Sequence, residues 1–85
     1  MEKDQKFLKE VVSMLVSHPK DVKIDRTVDD RGVLLTMDVN QEDLGMIIGK
    51  EGRNISALRH LIKMIGFQNK AFVNLKLNQP DRPVK

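Results

Sequence analysis

Gly49 and Gly52 sit three apart in the run Ile47-Ile48-Gly49-Lys50-Glu51-Gly52-Arg53-Asn54-Ile55, and they constrain the fold of this chain more than any other feature. Apolar residues precede them and a longer basic, periodic stretch follows, so the chain must leave one helix and enter another within Gly49 to Gly52. Glycine lacks a Cβ, so the turn can take dihedrals that other residues resist, and an anionic group can come close to the main chain. The second helix points its unpaired N–H groups and the positive end of its dipole at the same turn. Lys50 and Arg53 add mobile positive charge at the rim.

Periodicity on either side supplies the rest of the fold. From Asp4 to Ser17, Phe7, Leu8, Val11, Val12 and Leu15 recur at helical spacing opposite Lys6, Lys9, Glu10 and Ser13. Asp4 is the expected cap, and His18-Pro19 ends this amphipathic helix because the residue before proline avoids the α region. Val22, Ile24 and Val28 then alternate with polar residues, the turn Asp29-Asp30-Arg31-Gly32 follows, and Val33, Leu35, Met37 and Val39 alternate in their turn. So short a loop predicts an antiparallel hairpin. Asn40 is placed to cap a short helix ending at Ile48, with Glu42 and Asp43 near its positive end. Gly45 inside that helix costs about 1 kcal/mol relative to alanine, a cost that close packing would justify. Beyond the glycines, Ile55, Leu58, Leu61, Ile62 and Ile65 form an apolar stripe with Arg53, Ser56, Arg59, His60 and Lys63 opposite and Ala57 and Met64 at its border. Gly66 is the expected C-cap. Val73, Leu75 and Leu77 make a third strand, and residues 79–85, with Pro80 and Pro83, read as a flexible C-terminal tail after a single domain of residues 1–78.

The order α-β-β-α-α-β, with three helices on one face of a three-stranded sheet, is a two-layer α+β domain. A bare Gly-x-x-Gly occurs in many loops, but here it lies between the right helices. The stretch resembles the signature of KH domains, apolar-Ile-Gly-x-x-Gly-x-x-Ile. Asp43-Leu44-Gly45-Met46 is similar to the family as well, and the element order matches its bacterial, type II arrangement over about residues 4 to 78. The resemblance implies single-stranded RNA held through the loop, which in this family clamps about four backbone nucleotides. Carried onto this sequence, it makes Gly49, Lys50, Glu51 and Gly52 the clamp, Lys50 the first phosphate contact and Arg53 and Arg59 secondary ones. Ile48 and Ile55 would floor the groove, a role that competes with a place in the core. Glu51 departs from what a phosphate clamp favours and is expected to face solvent. The small single-domain bacterial members further imply an RNA chaperone or post-transcriptional regulator that forms a homodimer, or a heterodimer with another, larger KH protein. An interaction module in which RNA binding is secondary is the alternative reading.

Net charge is only +3, but its distribution is informative. Residues 1–48 hold seven Lys and Arg against ten Asp and Glu, whereas residues 49–76 hold Lys50, Arg53, Arg59, Lys63, Lys70 and Lys76 against Glu51 alone. A basic patch gathered around a glycine loop is the footprint of a nucleic-acid binder, although Lys63, Lys70 and Lys76 fit a solvated surface equally well. With no Trp or Tyr and only Phe7, Phe67 and Phe72, base stacking is not expected to dominate. There is no cysteine, and His18 and His60 have no partner at ligand spacing, so no metal, cofactor or catalytic site is expected. Gly45 to Lys50 approximates a P-loop, yet its glycines are one residue too close and Glu51 stands where the Ser or Thr for magnesium belongs. Neither a signal peptide nor a membrane span is legible, so the expected location is the cytoplasm. The Asn54-Ile55-Ser56 glycosylation triplet is then coincidental.

Overall fold

Leu8 and Val12 are fully buried on helix α1 (Lys3–Leu15), while Leu15 at its end is 51% exposed, so the apolar stripe narrows along the helix. The computed structural model describes residues 2–78; the stretch read as a tail lies outside them. Glu2 occupies the N-cap position with no side-chain hydrogen bond, so Asp4 is not the cap. Its carboxylate is buried and accepts from Arg26 Nε at 3.1 Å, which joins the first turn of α1 to the first strand. Position 4 faces the sheet, and a buried charge there needs the counter-ion that Arg26 supplies.

Strands β1 (Lys23–Asp29) and β2 (Gly32–Asp38) form the expected antiparallel hairpin, with Ile24 opposite Met37 and Val28 opposite Val33. Asp29 Oδ1 accepts from the Arg31 N–H at 2.8 Å and shapes the turn. Val22 and Ile24 are buried, but Val28 is 62% exposed, against the alternation. Arg26 holds the inward position between them and meets the start of α1, so the strand outruns the helix that would cover Val28.

Strand β3 (Val73–Leu77) pairs parallel to β2, in the order β1-β2-β3, with Val33, Leu35 and Met37 opposite Val73, Leu75 and Leu77. A parallel pair requires a crossover, and the two helices flanking the glycines supply it. These are α2 (Leu44–Ile48) and α3 (Arg53–Gln68). Leu44, Ile47, Ile55, Leu58 and Ile62 complete the core against the sheet, whereas Leu61, placed by periodicity in the same stripe, is 40% exposed. Asn40 does cap the 3-10 turn Gln41–Asp43 that leads into α2, accepting from the Glu42 N–H at 2.8 Å. Asp43 has a further role: buried, it accepts from the N–H groups of Ser17 and His18 at 2.9 and 3.1 Å and fastens the α1–β1 connection to the start of α2. His18 Nε2 lies 2.8 Å from Glu42 Oε1, and this hydrogen bond, helped by the charges of Asp43, Glu42 and Asp21, raises the imidazole above its ordinary pKa of 6.5. The contribution of that contact to stability is complete below pH 6.5 and fades as pH rises through the raised value.

Two glycines have roles other than those expected. Gly66 lies inside α3, where a Cβ would stand 2.7 Å from Val73 Cγ2 and 2.8 Å from the Ala71 carbonyl, so its use is close packing. The helix is closed instead by Asn69 at the cap and Lys70 in the left-handed region at φ 56°, with the Ala71 N–H bonded to Gly66 O at 2.8 Å. Gly45 has the converse outcome: a Cβ there would meet open space, so no packing requires it. Gly45→Ala should therefore stabilise the domain by about 0.5–1 kcal/mol, the difference in helix propensity. An increased midpoint in urea at unchanged slope is the expected result.

Candidate nucleic-acid interface

Helix α2 stops because Gly49 turns to φ 77° while its N–H still bonds to Gly45 O at 2.8 Å. A single 3-10 turn, Lys50–Gly52, follows, with Gly52 at φ 75° serving as the N-cap of α3. Gly52 offers no capping side chain, so the first-turn N–H groups of α3 have no side-chain acceptor from that position. A Cβ on Gly52 would meet only Ile55 Cγ2, at 4.0 Å, which leaves this side of the loop open to an approaching phosphate. At the crest Glu51 is also left-handed, at φ 57°, a conformation that costs a non-glycine residue about 1–2 kcal/mol.

Asn54 explains why the first glycine is needed. Its Nδ2 donates to Met46 O at 2.6 Å and so occupies a carbonyl that the end of α2 leaves without a helical partner. The bond spans the loop from α3 back to α2, and a Cβ on Gly49 would lie 2.6 Å from Asn54 Cγ. Gly49 thus lets Asn54 close the turn. In the sequence, Asn54 stands out only as the first residue of a glycosylation triplet. An amide two residues past the glycine loop, within reach of the orphan carbonyls, is the signal the sequence carries. Asn54→Ala should loosen the loop and destabilise the fold by about 1 kcal/mol, one net hydrogen bond, read as a lower midpoint in urea.

Cations outnumber anions on the loop and along α3. Lys50 is exposed and forms no ion pair among the described residues. Glu51 faces solvent, as expected, and its Oε1 lies 3.4 Å from Arg53 Nη2, with these side chains 70% and 78% exposed. An ion pair so exposed contributes little, so Arg53 is only weakly held. Arg59 reaches the sheet, where its Nε donates to Leu75 O of β3 at 3.1 Å. Gly49, Lys50, Glu51, Gly52 and Arg53 therefore share one turn, and Arg59 lies further along α3 beside the sheet edge. Ile48 is half-buried, whereas Ile55 is 6% exposed and belongs mainly to the core. Of the two, Ile48 has the surface to floor a groove. Among the described residues no cluster of His, Asp or Glu is placed to hold a metal ion, and no helix is long and apolar enough to cross a membrane.

A family model described as KhpA/KhpB, KH domain, matches residues 5–77. Relatives include the RNA-binding protein KhpA of Listeria monocytogenes, 33% identical over 73 residues that cover 86% of this chain and 96% of that protein. The RNA-binding protein KhpA of Bacillus subtilis is 33% identical over 67 residues, covering 79% and 83% respectively. Among solved structures, Era from Aquifex aeolicus superposes with a TM-score of 0.59 at 19% identity, over 87% of this chain and 29% of that one. A likeness at that identity is one of fold, and it falls on less than a third of the Era chain. With the helix–glycine loop–helix geometry, the parallel third strand and the match over residues 5–77, the chain belongs to the KhpA/KhpB KH-domain family.

Proposed function

We propose that this protein binds single-stranded RNA through the loop Gly49–Gly52, acting in the cytoplasm as an RNA chaperone or post-transcriptional regulator without catalytic turnover. The observation that carries this reading is the loop itself: positive φ at Gly49, Glu51 and Gly52, an open approach at Gly52, and the exposed cations Lys50 and Arg53 on the turn, with Arg59 further along α3. The naming of its relatives as RNA-binding proteins supports it. Phosphates sit against the loop and the start of α3, while bases rest on the surface offered by Ile48. Fluorescence anisotropy with a labelled unstructured RNA tests this. Two or three neutralised phosphates on a single strand give a log-log salt slope of about −1.4 to −2.1. Duplex RNA should compete poorly, because its paired bases cannot enter the groove; equal competition by duplex would contradict the assignment.

Pairing is a second reading, favoured by a different surface. Leu15, Met46 and Leu61 are 51%, 39% and 40% exposed around an apolar groove of about 270 Å³ that Val11 and Ala57 also line. Met64, on the same flank of α3, is 55% exposed. Covering this surface with a second copy, or with another KH protein, would return about 25 cal/mol for each Å² removed from water. Met64→Glu should therefore weaken self-association measured by sedimentation. A wild-type monomer at high micromolar concentration would end the homodimer reading.

A further inference from the structure

Phe67 and Phe72 are 80% and 74% exposed, the first near the end of α3 and the second just before β3. Together with Lys70 and Ala71 they line an open hollow of about 320 Å³. The backbone beneath them is fixed by three hydrogen bonds: Lys70 N–H to Phe67 O at 3.1 Å, Ala71 N–H to Gly66 O at 2.8 Å and Val33 N–H to Phe72 O at 2.7 Å. Both aromatic residues are therefore mounted on ordered chain, which lowers the cost of engaging a ligand.

We propose that Phe67 and Phe72, with Lys70 between them, form a second single-strand contact, a platform on which bases stack beyond the nucleotides held at the glycine loop. The proposal rests on the RNA-binding reading given above. At 100° per residue, Arg59, Lys63 and Phe67 follow one another down a single flank of α3. The Arg59 bond to Leu75 O shows that this flank faces the β3 edge. Ala57, Leu61 and Met64 occupy the other flank, so the platform is separate from the apolar groove. No Asp or Glu occurs from Arg53 to Leu77, which leaves a run of cations from the loop to the two rings. That charge suits a polyanion carrying π faces better than an apolar peptide, and stacking on Phe is tolerant of base identity. Asp29 and Asp30, on the hairpin next to Phe72, would repel phosphate and leave the Lys63 and Lys70 side as its route. Helix α3 is about 24 Å long, a distance that some seven nucleotides stacked at ~3.4 Å would cover, so a strand filling only the loop does not reach the rings.

The test is anisotropy with labelled oligouridine of four and of ten nucleotides. It compares wild type, the double variant Phe67→Ala with Phe72→Ala, and the conservative Phe67→Tyr with Phe72→Tyr. Circular dichroism checks each fold, which exposed rings should not alter. The alanine variant should bind the ten-mer at least tenfold more weakly and the four-mer unchanged, and the tyrosine variant should restore ten-mer binding. Ten-mer affinity unchanged by alanine would overturn the platform. So would an alanine variant whose only defect is lost self-association in sedimentation, because the rings would then face a second copy. The loop reading is tested separately by Lys50→Asp with Glu51→Asp on the four-mer. If that variant binds normally while the alanine variant retains its length-dependent loss, the loop reading falls and the platform stands.

Discussion

Replacing Lys50 and Glu51 together with aspartate should abolish measurable binding of short single-stranded RNA while leaving the fold intact. Lys50 is exposed and unpaired among the described residues, so its loss removes nothing from the folded state. Glu51 makes only the exposed contact to Arg53, and its left-handed backbone suits aspartate better than glutamate. The ligand fares differently. It loses a charge-assisted hydrogen bond of about 1.5–3 kcal/mol and meets a second carboxylate at the crest of the loop. A total near 3 kcal/mol is about a hundredfold in affinity. Anisotropy beside circular dichroism on both proteins measures it. Equal affinity for a well-folded double variant would move binding away from the loop.

The largest expected effect on stability comes from Gly32→Ala, far from the loop. Gly32 lies at φ 128°, and a Cβ there would stand 2.4 Å from the Phe72 carbonyl oxygen. That oxygen accepts the Val33 N–H that opens the pairing of β2 with β3, so neither strand can yield without breaking the parallel register. Backbone strain and the overlap together should cost about 3 kcal/mol or more. For 85 residues, whose stability is of order 4–13 kcal/mol, this is a large share. A melting temperature at least ~12 °C lower is the expected outcome. A change of only a degree or two would mean that the hairpin turn does not abut β3 as described.

Local pattern carried much of this fold. The 3.6-residue period of α1 and α3, the two-residue period of the strands and the chemistry of the Asp29–Gly32 turn are properties of adjacent residues, so element order was readable without tertiary information. The glycine loop was readable for the same reason, since its geometry is imposed within Gly49 to Gly52. What escaped depends on partners distant in sequence. Asp4 looked like a cap because its counter-ion, Arg26, is brought to it only by folding. Gly66 looked like a helix end because Val73 and Ala71, which require its missing side chain, arrive from the following strand and its approach. Gly45 looked like a packing residue, yet nothing comes near it. Within the site, Lys50 and Glu51 are exposed as expected, Ile55 is mainly core, and Asn54 was overlooked because its acceptor belongs to the preceding helix. The exposure of Phe67 was equally invisible, since an aromatic residue in a helical period gives no sign of whether another element covers it, whereas Phe72 alternates with Val73, Leu75 and Leu77 on the polar side of β3, as its exposure bears out.

The proposed function requires RNA to be held at the turn joining α2 to α3. The most direct measurement is an amide chemical-shift titration of the 15N-labelled protein with a four-nucleotide unstructured RNA, reading every backbone N–H at once. The largest changes are expected at residues 48–54, with smaller ones along α3 near Arg59. Changes concentrated instead at Leu15, Leu61 and Met64, or no changes at saturating RNA, would contradict it.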